Sequence, residues 1–279
     1  METGVELQRV RGPSSVGGGW KRFWELLLLL SVTEFKRTYF GTVLGYLWSL
    51  LRPLLLFAVL LFVFTKIFRL GSSVPHYPVL LLFNVVLFGL FSEATQGAVQ
   101  SVVSQESVVR KTQFPRMVIP LSVVVTGLFN LGMNLIVVLI FILAFGVSPI
   151  WSWLLFPLIV AGLFVYSTGV SLLLSSLYVR FRDTAIIWTV MATVFFYATP
   201  VLYPIEKVPS AYRDVILLNP LTPLFVQARH WVVDPGAPTA VSAAGGWTHL
   251  LAPVALFVAV CGLGAWYFNR EAPRIAEEL

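Results

Sequence analysis

Apolar residues along this chain collect into runs separated by short polar islands, and most runs reach the roughly 20 residues a helix needs to cross a bilayer. The pattern predicts six transmembrane helices: about Val43 to Phe64, Pro78 to Ala98, Met117 to Phe145, Trp151 to Leu177, Thr184 to Val201 and Leu250 to Phe268. Gly146, Val147, Ser148 and Pro149 make a tight turn between the third and fourth. The charged stretch YVRFRD, Tyr178 to Asp183, links the fourth to the fifth. Thr199 and Pro200 stop or kink the fifth, because proline lacks the backbone donor a continuing helix needs.

Before the first run, Met1 to Gly19 is polar and then rich in Gly and Ser, and it predicts a tail without a core-forming pattern. Trp20, Phe23, Trp24, Leu27, Leu28 and Phe35 then recur at helical spacing, with Lys21, Arg22, Glu25, Lys36 and Arg37 at the ends and on the other side. That is the pattern of a helix lying in the membrane interface, aromatics inserted and cations at the headgroups. A signal peptide does not fit: Leu26 to Leu30 is too short an apolar block, Glu25 interrupts it, and no small-residue cleavage site follows.

Two islands carry more than connection. VQSVVSQESVVRKTQFPRMVIPL, Val99 to Leu121, reads as a short amphipathic helix to about residue 113, ending in a basic, proline-broken elbow. Tyr203 to His249 is too apolar in its first half for a plain loop. Pro209 and Ser210 open a helical pattern through Leu218, Asn219 and Pro220 break it, and a second runs from Thr222 and Pro223 to Trp231. Helices that short cannot span, so about 203–232 predicts a re-entrant or interfacial hairpin, followed by a Gly, Pro and Ala linker from Asp234 to Gly246.

Composition agrees with the runs: 58% of residues are hydrophobic and 11% charged, where soluble domains carry about 25% charged residues. The fold class is therefore all-α and polytopic. The net charge of +6 reads as positive-inside bias rather than as nucleic-acid binding. With both termini and the two charged islands in the cytoplasm, that side holds most of the Lys and Arg. The far side keeps Lys66, Arg69, Lys207, Arg213 and Arg229. Cys261 is the only cysteine, so no internal disulfide forms, and its apolar surroundings read as a packed thiol.

Candidate chemistry inside the spans is sparse. Arg52 and Pro53 lie in the first span; the arginine either snorkels to the headgroups or offers a site to an anionic substrate group. Asn84, Glu93 and Gln96 lie on the second, where Glu93 near the end reads as a solvated interfacial carboxylate rather than a proton carrier. His76, His230 and His249 fall outside the spans and make no HExxH pattern, so no metal site is expected. No GxxxxGK[ST] phosphate loop occurs, so the chain cannot bind a nucleotide by that route, and transport driven from outside the chain is the economical reading.

Three stretches carry a family resemblance: KRTYFGTVLGYLWSLLRPL at Lys36 to Leu54, VRKTQFPRMVIPL at Val109 to Leu121, and FRD at Phe181 to Asp183. Together with Pro200, Tyr203, Asn219, Pro220, Leu221 and Arg229 they resemble the membrane subunit of an ABC-2 type transporter. The resemblance is to the polysaccharide-export permeases of O-antigen, teichoic acid, capsule and galactan secretion, and it covers nearly the whole chain from Lys36. Three departures stand out: Met117 replaces the acidic residue that often follows FPR, Thr199 and Val201 give TPV for SPI, and Arg52 stands where an uncharged residue is more usual.

The resemblance implies a homodimer paired with two copies of an ATPase subunit that holds the ATP and Mg2+, and no cofactor or catalytic residue in this chain. It implies residues 1–40 as cytoplasmic tail and interface helix, 41–268 as a six-span transmembrane domain, and 269–279 as a cytoplasmic tail, all in a bacterial inner membrane. It assigns ATPase coupling to Gln100, Ser101, Ser104, Gln105, Glu106, Val109, Arg110, Lys111, Phe114, Pro115 and Arg116, cradled by an interface helix bearing Trp20, Phe23, Trp24, Lys36 and Arg37. The implied cargo is a glycan on a polyprenyl diphosphate. Arg37 and Arg52 can attract its anionic head, and Trp48, Trp188, Phe195, Phe196, Tyr197 and Tyr203 either stack on sugar rings or pack as core and belt residues. The alternatives are an ABC-2 permease for lipid or drug efflux and, more remotely, a membrane glycosyl- or acyltransferase.

Overall fold

The computed structural model describes residues 19–39, 44–69, 74–106 and 115–273. The expected N-terminal tail, most of the C-terminal tail and, within the coupling island, Val109, Arg110, Lys111 and Phe114 lie outside the described residues. The described residues contain helices and no strand: α1 Trp20–Tyr39, α2 Leu47–Phe62 running into a π-helical turn at Val63–Ile67, α3 Tyr77–Ser104, α4 Val118–Ala144, and α5 Phe156–Arg180 after a 3-10 turn at Trp151–Leu155. They continue as α6 Thr184–Ala198, α7 Ser210–Leu218, α8 Leu221–Val232, α9 Ala240–Ala244 and α10 Trp247–Glu271.

Five of these are long and apolar enough to cross a membrane: α2 with its π-helical turn, α3, α4, α5 with its 3-10 turn, and α10. The expected fifth span is different. α6 has 15 residues, about 22 Å of rise against a hydrocarbon core of about 30 Å. It stops because Thr199 precedes Pro200, whose ring clashes with a helical residue before it, and Thr199 accordingly turns extended at φ −94° and ψ 144°.

α3 is the hub. In its apolar stretch 78% of residues are buried, against 11% in α2 and in α10, and Leu81, Leu87 and Phe91 at its centre are fully enclosed. α4 and α5 pack along it, and α10 packs on α5. Small residues let these helices approach, the device expected where lipid tails compete equally for apolar surface. A Cβ on Gly264 of α10 would run into the Gly169 carbonyl oxygen of α5, and a Cβ on Gly169 would lie 2.7 Å from Cys261 Cα. Leu55, Val59 and Phe62 on α2 and Leu251, Val258 and Leu263 on α10 face outward and are exposed.

Three boundaries differ from the sequence pattern. No separate helix begins at Val99, because Ala98, Val99 and Val102 are buried and extend the packed face of α3 to Ser104 without a breaker. The linker after Asp234 contains α9, whose N-terminus is capped by the Thr239 hydroxyl accepting from Ser242 N at 3.1 Å. α10 runs to Glu271, so the first residues of the expected tail are helical. α7 and α8 form the expected pair of short helices, broken at Asn219 and Pro220.

α1 is amphipathic and lies on α4. Phe23 and Leu27 are buried against Val118, with Leu121 and Val125 beside it, and Thr126 Oγ1 donates to Ser31 O at 3.1 Å. Trp20 and Trp24 face outward.

Candidate functional site: a polar cavity within the helix bundle

A cavity of about 720 Å3 opens where the end of α1 meets α2, α3, α4 and α6. Each helix supplies residues from one face: Val85, Phe88, Gly89, Ser92, Glu93, Gln96 and Gly97 of α3, and Val123, Thr126, Gly127 and Asn130 of α4. These recur at three- and four-residue spacing and so form continuous stripes. α2 adds Arg52, Pro53 and Leu56, α1 adds Thr38 and Tyr39, and α6 adds Ala192, Thr193, Phe196 and Tyr197. The lining therefore combines a polar, charged part with an aromatic one.

The polar part is an ordered network. Tyr39 Oη donates to Asn130 Oδ1 at 3.0 Å, and Asn130 Nδ2 donates to Glu93 Oε2 at 2.9 Å. An amide held on both sides by groups of opposite hydrogen-bonding sense has one orientation. Asn134 Nδ2 bridges Asn130 O at 2.9 Å and Ser49 O at 3.1 Å, tying the start of α2 to α4. Gln96 Nε2 donates to Ser92 Oγ at 2.7 Å on the same wall. Burial pushes the Tyr39 hydroxyl pKa up and the Glu93 charge adds to this, while the Asn130 bond and the Arg52 charge pull it down. Glu93 is thus a half-buried, hydrogen-bonded member of a cavity wall rather than a freely solvated interfacial carboxylate. Arg52 lies in the cavity lining.

Of the aromatic residues expected along a path, Phe196 and Tyr197 line the cavity. Trp188 is 9% exposed, donates from Nε1 to Thr95 Oγ1 at 3.1 Å, and packs on Phe91 and Phe195 with ring centroids 6.1 and 6.0 Å away. Trp188 and Phe195 are packing residues here. Tyr203 Oη donates to Tyr197 O at 2.8 Å, and burial raises its hydroxyl pKa. Trp48 is exposed and, like Arg37, is outside the cavity lining; the Arg37 guanidinium lies 3.9 Å from Glu34.

The described residues among those expected to couple to an ATPase cluster at the end of α3 and the start of α4. Gln100 and Ser104 are exposed, Glu106 is half-buried, and Ser101 is buried with its hydroxyl on Ala98 O at 2.8 Å. Gln105 Nε2 donates to Glu34 Oε1 of α1 at 3.1 Å. Pro115 and Arg116 are buried where α4 begins. On α1, Phe23 points inward, while Trp20, Trp24, Lys36 and Arg37 are exposed.

Of the residues that carry the resemblance, Pro200, Asn219 and Arg229 take part in the bonds that hold the break after α6. Asn84 Nδ2 donates to Pro200 O at 3.1 Å, Tyr77 Oη donates to Leu202 O at 2.8 Å, and Asn219 Nδ2 donates to Thr199 Oγ1 at 2.8 Å. Arg229 pairs with Glu206 at 2.8 Å and with Asp234 at 3.2 Å, fixing α8 to the segment before α7. Among the described residues no group of three His, Cys, Asp or Glu is placed to hold a metal ion.

The sequence signal for the cavity was present but distributed: Glu93 and Asn130 become partners only once α3 and α4 pack. Comparison with known proteins adds what geometry does not carry. Residues 25–231 match the family model described as ABC-2 type transporter. The chain is 33% identical over 201 residues to the O-antigen export system permease protein RfbA of Myxococcus xanthus, covering 71% of this chain and 76% of that protein. It is 30% identical over 207 residues to RfbA of Klebsiella pneumoniae, covering 74% and 79%. It is 23% identical over 242 residues to the polysialic acid transport protein KpsM of Escherichia coli, covering 85% and 90%. With the matched region taking in most of α1, the whole cavity, α7 and nearly all of α8, this chain belongs to the ABC-2 type transporter family.

Proposed function

We propose that this chain is the permease subunit of an ATP-driven exporter that moves a polyprenyl-diphosphate-linked polysaccharide out of the cytoplasm across a bacterial inner membrane. The observation that carries the reading is the cavity itself. A cation, Arg52, and aromatic faces, Phe196 and Tyr197, share one membrane-level space in a chain similar to an O-antigen export permease and to a polysialic acid transport protein. Charge at that depth is costly unless it serves a partner or a passing ligand.

In this reading α6 is a sixth, short crossing, both termini are cytoplasmic, α1 lies in the inner interface, and α7 and α8 form a re-entrant hairpin at the outer mouth. Two copies pair about a twofold axis, with α2 and α6 facing the shared path; the low burial of α2 suits that role. ATP and Mg2+ bind in two copies of a separate ATPase subunit. That subunit docks on the residues around Gln100 to Arg116, and its movement passes through α1 and α3.

Depletion of the chain tests the reading. Lipid-linked glycan accumulates on the cytoplasmic side if the chain is the exporter; if no such glycan accumulates while a different lipid or drug is retained, the cargo assignment is wrong.

A further inference from the structure

Glu93 is the acidic residue of the cavity lining, and the proposed cargo gives an anionic head no reason to need it. Its Oε2 accepts from Asn130, whereas Oε1 accepts no hydrogen bond from protein among the described residues. An ionised carboxylate only accepts hydrogen bonds and a guanidinium only donates them. A ligand satisfying both Glu93 and Arg52 therefore brings donors to one and an anion to the other. A cationic drug would meet Glu93 but be repelled by Arg52, and a bare lipid phosphate would do the reverse. The junction between a phosphate and a sugar meets both demands, because hydroxyl and acetamido N–H groups lie beside the phosphoryl oxygens. The volume of about 720 Å3 holds such a junction and a few sugars rather than a polymer.

We propose that Glu93 is a specificity-determining residue that reads the sugar next to the carrier, accepting hydrogen bonds from its hydroxyl or amide groups, while Arg52 takes the phosphate. Asn130 is a positioning residue: held by Tyr39 Oη, it aims the Glu93 carboxylate. This rests on the export reading above and deepens it.

The test uses the permease with its ATPase in nanodiscs, and the half-maximal concentration for stimulating ATP hydrolysis. The probes are a polyprenyl diphosphate bearing a trisaccharide and the same polyprenyl diphosphate without sugar. Glu93→Gln keeps an oxygen for Asn130 but removes the charge. It is expected to raise the half-maximal concentration of the glycosylated probe about tenfold, the scale of one charge-assisted hydrogen bond, and to leave that of the bare probe within twofold. Arg52→Ala weakens both probes. Should Glu93→Gln not assemble as a dimer with its ATPase, Glu93→Asp, which retracts the carboxylate by one methylene, is expected to show the same selective loss at a smaller size. Equal responses to both probes in the Glu93 variants overturn the sugar-reading role while leaving the export reading standing. A wild-type complex that neither probe stimulates removes both.

Discussion

Gln105 Nε2, one residue past the end of α3, donates to Glu34 Oε1 on α1 at 3.1 Å. The same α1 ends at Tyr39, whose hydroxyl enters the cavity network through Asn130. One helix is thus bonded at Glu34 to the proposed docking end of α3 and at Tyr39 to the cavity wall. A part-buried neutral-to-charged hydrogen bond contributes about 1.5 kcal/mol, too little to decide folding but enough to matter in a mechanical linkage. In Gln105→Ala the proposed dimer and its proposed assembly with an ATPase should persist, while more ATP is hydrolysed per glycan exported. An unchanged ratio, measured in proteoliposomes, would rule the contact out as a linkage.

A second expectation concerns the crossing of α5 and α10. Gly264 sits so close to Gly169 that any side chain at either position forces the helices apart. Gly264→Leu should destabilise by about 2 kcal/mol or more, the cost of overpacking a tight interface. It should lower the thermal unfolding midpoint in detergent. Gly262→Ala is the control, since a Cβ there meets nothing within 4 Å.

Arg229 makes the third case. Its side chain is 9% exposed, and its guanidinium serves both Glu206 and Asp234. Arg229→Ala leaves Asp234, itself 16% exposed, without its cation. The loss should be about 3 kcal/mol, the scale for breaking a largely buried pair, tempered by the half-exposed Glu206. Arg229→Lys should recover only part of it, because an ammonium cannot span both carboxylates in the fork geometry of a guanidinium. Limited proteolysis of the segment around Glu206 reads the loosening directly.

These cases also mark what the chain's pattern could reveal. The long apolar runs were legible because lipid imposes length and composition on every crossing. The early stop of α6 was visible in Thr199 and Pro200, but its 15-residue length was not. Val99 looked like the start of a polar island. Its burial with Ala98 and Val102 depends on neighbours that sequence order does not name, so α3 continued through it. Glu93 looked interfacial for the same reason, since its partner Asn130 lies on another helix. Aromatic residues near Pro200 could be counted but not sorted into packing and lining.

That sorting gives the last prediction. Trp188 and Tyr197 are both aromatic residues of α6, one turned into the core and the other lining the cavity. Trp188→Phe keeps the ring against Phe91 and loses the Nε1 bond to Thr95. It should cost about 1 kcal/mol of stability and leave the half-maximal glycan concentration for stimulated hydrolysis unchanged. Tyr197→Ala removes a ring from the cavity wall without touching that core, and leaves Tyr203 Oη its backbone acceptor at residue 197. It should weaken glycan stimulation several-fold, in line with about 1 kcal/mol for an aromatic face, with little change in unfolding midpoint. If the two variants exchanged these profiles, the cavity would not be where the glycan binds, and the polar network around Glu93 would be a structural clamp between α3 and α4.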